Sequence, residues 1–154
     1  ELDILFFDLP GTLTREGAIK TLSMIDFIIT PITADRMVLQ SSLEFASLIN
    51  DNVISTGKSN IQGLYLIWNK VDARERTDLY DTFNTLIGEL GLQILKTTIP
   101  DRKRFRHELT EEIRPVFRST LFPVDRQLVK DTNLDLLADE IEELIKLKVD
   151  GQER

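Results

Sequence analysis

Apolar positions along this chain of 154 residues form two kinds of pattern. Short continuous runs are one kind. Leu2–Phe7, Phe27–Thr30, Leu64–Trp68 and Gln93–Thr97 read as strands, the first apolar on both faces as in a parallel sheet covered by helices. Recurrence at helical spacing is the other. Val38, Leu39, Ser42, Ala46 and Ile49 share one face, with Asp35 placed to cap that helix. Leu79, Tyr80, Phe83, Leu86, Ile87 and Leu90 form a second stripe, capped by Thr77 or Asp78 and ended by Gly91. Asp131 or Asn133 opens a last helix, with Leu134, Leu137, Ile141, Leu144 and Ile145 inside and its acids outside. Thr14–Met24 is a short helix candidate. Pro31 is expected to stop the second strand, and the polar stretch Asn50–Asn60, with Gly57, reads as a loop.

Strand and helix therefore alternate. This predicts an α/β fold, a mostly parallel sheet flanked by helices with right-handed crossovers. No internal repeat, low-complexity stretch or linker divides residues 1–154, so one domain is expected. In such sheets ligands bind beyond the carboxyl ends of the strands. Asp8, Pro31, Asn69 and Pro100 each follow a strand, so all four are expected on one rim.

Composition narrows the chemistry. Hydrophobic residues make up 42% and charged residues 29%, as in an ordinary globular protein. There is no cysteine, which excludes disulfides, thiolate metal sites and cysteine nucleophiles. No apolar run approaches the ~20 residues that span a bilayer. A reducing, cytoplasmic setting is the expectation. The net charge of −7 is unevenly spread. Residues 101–130 carry eight basic and five acidic groups, whereas residues 131–154 carry three and eight. A local positive field can hold an anion that the whole molecule would repel.

Three stretches carry candidate chemistry. In "ILFFDLPGTL" (residues 4–13) an apolar run ends at Asp8, then Pro10 and Gly11. An aspartate there can hold magnesium, directly or through water, beside a nucleotide's phosphates, with a loop starting at Pro10 and Gly11 that senses the terminal phosphate. The plain alternative is a turn or helix cap. In "LIWNKVD" (residues 66–72) Asn69-Lys70-x-Asp72 matches the guanine-reading motif of GTPases, in which the Asp carboxylate takes the ring-edge N–H donors. Asp8-x-x-Gly11 matches the loop signature of the same enzymes. The third stretch is "TTIPDRKRFRHEL" (residues 97–109). A GTPase would have a loop of small residues here; this chain has Ile99-Pro100-Asp101-Arg102 instead.

Together with "IITPITADRMVLQSSLEFASLI" (residues 28–49) and the Asp8-Leu9-Pro10 turn, that third stretch resembles the ParA/MinD-like partition ATPases. In that family a strand ending in Asp-x-Pro carries the Walker B aspartate. A second strand ends in Pro before a helix opening with an acidic residue, and a later one ends in Ile-Pro before basic residues. The resemblance covers about residues 1–147. "WNKVDARER" (residues 68–76) is similar to the ParA-like proteins of Bacteroidetes conjugative transposons.

The resemblance implies the carboxyl-side part of a P-loop NTPase fold that binds ATP and Mg. Asp8 matches the Walker B position and would orient the magnesium shell and the attacking water. Asn69 matches a position that approaches the adenine. Pro100, Asp101 and Arg102 match the segment that frames base and ribose, and Lys70 and Asp72 become rim residues. The parent protein would partition plasmid or conjugative-element DNA, working as an ATP-dependent homodimer with a DNA-binding adaptor protein. Arg102, Lys103, Arg104, Arg106, Arg114 and Arg118 would contact DNA phosphates without reading bases, in a salt-dependent way; the alternative is a solvated face paired to Glu108, Glu111 and Glu112.

One part of the family pattern is missing. No GxxxxGK[ST] stretch occurs; Gly57-Lys58-Ser59 has the ending without the upstream glycine. The chain therefore reads as a C-terminal fragment of a larger ATPase, expected to bind ATP weakly and not to hydrolyse it, because the loop amides and lysine that stabilise the transferred phosphoryl are absent. The lost strand would leave two apolar edges and favour self-association or a rearranged sheet. A GTPase-type switch and a non-catalytic interaction domain on the same fold remain alternatives. His107, the only histidine, reads as a surface residue, and Trp68, Phe45 and Phe83 read as core.

Overall fold

"LYLIW", residues 64–68, is apolar at every position, and every one of its side chains is buried. Such a strand must be central, covered on both faces and paired on both edges. The computed structural model, which describes residues 4–9, 22, 24–57, 59–74, 77–103 and 126–152, places it so. Strand β2 (Gly63–Trp68) lies between β1 (Phe27–Ile32) and β3 (Gln93–Ile94), and both pairings are parallel. The protein is thus α/β, and the described residues form a three-stranded parallel sheet with helices.

Period-two alternation along β2 divides the core into two layers. Leu64, Leu66 and Trp68 join a cluster with Ile28 and Ile32 of β1, with Leu39, Ala46 and Ile49 of α1 (Arg36–Ile49), and with Ile87 of α2 (Thr77–Glu89). Tyr65 and Ile67 belong to the other cluster, with Leu95, and with Leu137 and Leu144 of α4 (Leu134–Gln152) packed against it. A short helix, α3 (Arg126–Asp131), precedes α4. Among the described residues no helix is long and apolar enough to cross a membrane.

The expected helix signals operate. Asp35 Oδ1 accepts the backbone N–H groups of Met37 and Val38, both at 3.0 Å, which satisfies two donors that a helix start leaves open. Gly91 takes φ +69°, which favours glycine, and two reversed bonds close α2. The Leu92 N–H donates to the Ile87 carbonyl at 3.1 Å, and the Gly91 N–H to that of Gly88 at 3.0 Å.

Four expectations fail. Residues 4–9 form no strand, and Ile4, Leu5, Phe6 and Phe7 are 45–73% exposed. An apolar run becomes a buried strand only beside a partner, and no described strand pairs with it. Pro31 does not end β1 but lies inside it, opposite Ile67. The Ile32 carbonyl accepts from Asn69 N–H across the β1–β2 edge, so Pro31, one residue away, turns its missing donor to the outer edge. Asn50–Asn60 is not all loop: α1 runs into a π-helical turn, Asn50–Ile54, closed by the Ser55 N–H on the Asn50 carbonyl at 2.9 Å. Finally, β3 is regular only at Gln93–Ile94 rather than to Thr97. The predicted helix Thr14–Met24 lies almost wholly outside the described residues.

Candidate functional site at the carboxyl rim of the sheet

Parallel strands end on the same side, so their last residues share a rim. The backbone ladder joins three of these ends directly. Asn69 N–H donates to the Ile32 carbonyl at 2.8 Å, tying the end of β2 to the end of β1. Ile99 N–H donates to the Trp68 carbonyl at 2.8 Å, tying the 95–101 segment to β2 on its other edge. Beyond the sheet proper, Val71 and Pro100 form a parallel bridge. Val71 N–H donates to the Ile99 carbonyl at 3.0 Å, and Asp101 N–H to the Val71 carbonyl at 2.9 Å. Residues 69–72 and 99–101 therefore run side by side past the end of the sheet.

A kink makes that path. Lys70 has φ +56°, the left-handed region that costs a non-glycine residue about 1 kcal/mol. Its N–H is held by the Asn69 Oδ1 at 2.9 Å. That bond occupies the Asn69 side-chain oxygen with its neighbour's backbone. Asp72 is engaged differently. Its Oδ1 accepts Arg74 N–H at 2.9 Å and Arg74 Nε at 3.0 Å, while Oδ2 takes the Arg74 guanidinium at 2.7 Å. Arg74 thus engages both carboxylate oxygens in an exposed ion pair, a kind that contributes little and that a ligand can displace.

The basic segment is partly visible. Asp101 is half-buried; Arg102 and Lys103 are exposed. Arg102 Nε donates to the carbonyl of Asp131, the last residue of α3, at 3.0 Å. Arg104, Arg106, His107, Arg114 and Arg118 lie outside the described residues, as do Pro10 and Gly11. Asp8 is exposed within the irregular segment 4–9, whose Leu9 packs against the α1–α2 side of the core.

Three residues at this rim escape a reading of the sequence. Thr33, directly after β1, has a buried Oγ1 with no hydrogen-bond partner. Asn133, at φ +58°, donates its side-chain amide to the Thr98 carbonyl at 2.8 Å. Glu140 of α4 accepts the backbone N–H groups of Lys96 at 2.7 Å and Thr97 at 2.8 Å. Burial pushes the Glu140 carboxyl up, but the Thr97 side chain, the two backbone donors and the Lys96 charge outweigh it, and its pKa falls below the ordinary value. Only the i, i+3 and i+4 pattern of α4 was available as a signal, and it assigns Glu140 to the outer acids.

A separate groove of about 530 Å³ lies in the helix layer between α1 and α2, lined by Leu39, Leu43, Phe83, Leu86 and Leu90, with Arg36 and Glu44 at its edge. Its residues are not those of the rim. Compared with protein-family models, curated proteins and solved structures, the chain matches none.

Proposed function

We propose that this chain is the base-side portion of a ParA-like ATPase, and that its carboxyl rim binds the adenine end of ATP. One observation carries the reading: Trp68 and Val71, on either side of Asn69, are joined by backbone hydrogen bonds to the distant segment Ile99–Asp101 at the end of a parallel sheet. The chemistry of Asn69 suits adenine, whose ring nitrogens accept hydrogen bonds from an amide N–H. Pro100, Asp101 and Arg102 would flank base and ribose. The orphaned Thr33 hydroxyl offers a further polar contact at the same edge.

The donor types suit the rest of the ligand less completely. Asp8 supplies a carboxylate oxygen of the kind magnesium takes, and when bound the metal would neutralise phosphate charge. The described residues include no glycine-rich cradle for the phosphates, and the sequence holds no such motif. DNA partition, homodimerisation on ATP, an adaptor partner and phosphate contacts by Arg102 and Lys103 follow from the same proposal.

The GTPase alternative would use Asp72 as the base reader, with guanine displacing the exposed Arg74. Titrating ATP and GTP, each with magnesium, into the parent polypeptide tests both readings. The expected result is a preference for ATP and at least a tenfold loss in Asn69→Ala, the size of one charged or well-buried hydrogen bond. A preference for GTP that depends on Asp72 would favour the switch instead. Binding of neither would leave a non-catalytic interaction domain.

A further inference from the structure

We infer that Glu140 is the positioning residue of the rim segment 96–102, so that docking of α4 and the arrangement of the candidate base site are one equilibrium. Leu95 N–H donates to the Leu66 carbonyl at 2.8 Å. In a regular parallel pairing the next such bond comes two residues later on each strand, from Thr97 to the Trp68 carbonyl. Here Ile99 makes that bond, at 2.8 Å. Two extra residues are therefore absorbed between Leu95 and Ile99. A bulge of this kind re-aims whatever follows it, and its released polar groups need new partners.

The end of the chain supplies those partners. Glu140 takes the N–H groups of Lys96 and Thr97, and Asn133 gives its amide to the Thr98 carbonyl. All three bulge residues are bonded to groups more than 30 positions away in sequence. A fourth tie, from Arg102 to the Asp131 carbonyl, holds the far end of the segment. The consequence lies at the rim. With two residues taken up in the bulge, Pro100 arrives opposite Val71, and Asp101 N–H meets the Val71 carbonyl. Release of the bulge would slide the segment along β2 and replace Pro100 and Asp101 beside Asn69 with Thr98 and Ile99, two residues earlier in the chain. Glu140 touches no ligand in this account; it acts through the backbone. Its effect on nucleotide rests on the reading above, but its effect on the segment does not.

Amide exchange of the ligand-free chain, read residue by residue, tests this in wild type, Glu140→Gln, Glu140→Ala and, as a control on the exposed neighbour, Asp139→Asn. Glu140→Gln keeps one acceptor oxygen and should speed exchange at Lys96 and Thr97 about tenfold, with Glu140→Ala faster still, by about 100-fold. The positioning role requires that Val71 and Asp101 amides also speed up, although Glu140 contacts neither. Asp139→Asn should change none of them. Unchanged exchange at Lys96 and Thr97 in Glu140→Ala overturns the inference. So does faster exchange confined to those two amides, which would make Glu140 a local cap. If the alanine variant unfolds, the glutamine variant decides by the same two criteria. Normal coupling to Val71 and Asp101, together with no ATP binding by the parent, would sink the nucleotide reading and leave this one standing.

Discussion

Both faces of the sheet carry an apolar cluster, but they are finished by different means. On the α1–α2 face the central group is Trp68, 2% exposed. Its ring meets Tyr80 edge-on at 4.9 Å and Phe83 at 6.2 Å, and its one polar atom, Nε1, donates to Asn84 Oδ1 at 2.8 Å. At the α4 end of β3 polar ties are added to a smaller apolar cluster: Glu140, Asn133 and Arg102 each bond a side chain to the backbone. Buried area is non-directional, and it makes elements pack. Hydrogen bonds have preferred lines, and they fix where a segment sits. The molecule uses the first to hold its layers and the second to place the rim.

That contrast predicts an order of costs. Trp68→Ala removes the largest fully buried side chain and should destabilise by about 3–5 kcal/mol, read as a lower urea midpoint. The variant should also loosen α2, since Tyr80 and Phe83 lose their common neighbour. If Trp68→Ala costs less than Glu140→Ala in the same measurement, the layers are not held mainly by area, and the comparison is inverted.

A smaller effect is expected on the α4 face, where one apolar contact is tight. A Cβ on Gly63 would lie 2.5 Å from Tyr65 Cε2 and 2.9 Å from its Cζ. Tyr65 is buried, so its ring cannot simply swing away. Gly63→Ala should cost about 1–3 kcal/mol through overpacking. The same ring sits in a place where burial raises its phenol pKa. A neutral result in the urea midpoint would mean the ring moves, and the α4 face is then looser than drawn.

Where local rules govern, the sequence is a good guide; where a distant partner decides, it is not. Asp35 and Gly91 act within a few residues of themselves, and each behaves as its type requires. "LYLIW" is apolar at every position, and only a doubly covered strand can satisfy it. Ile4–Phe7 has the same look, yet it is exposed, because pairing is a property of the neighbour. Pro31 lacks a donor, but an outer edge makes that harmless. At the rim, Asn69 is legible as a strand end, whereas Pro100 lies beyond regular β3, in a bridge to Val71. Thr33 and Glu140 are not legible: one is read from a missing partner, the other from backbone donors 43 and 44 residues away.

The polar side of the comparison carries a pH dependence. Glu140 has its carboxyl pKa held below the ordinary 4.5 in the folded state. A depressed carboxylate contributes stability that is complete above its unfolded pKa and is lost as pH falls through the folded one. The stability gap between wild type and Glu140→Gln should therefore be flat from pH 7 to about 5. Below 4.5 it should shrink as the carboxyl takes a proton. Urea titrations of both proteins at matched pH give the gap directly, with other carboxylates cancelling in the difference. A gap that widens in acid would contradict the assignment, since protonation cannot strengthen an acceptor of two N–H bonds.

The smallest effect belongs to Thr33, and its sign is what matters. A buried hydroxyl without a partner opposes folding, because it gave up water and gained nothing. Thr33→Val keeps the branched shape and removes the oxygen. Stability should stay level or rise by about 1 kcal/mol, against the usual direction for a substitution next to a strand. The same change should weaken nucleotide binding to the parent, if the rim ligand is what that hydroxyl serves. A loss of more than 1 kcal/mol in the ligand-free chain would show that the hydroxyl is already bonded. Thr33 would then belong with the polar ties that place the rim, and the site would lose one of its contacts.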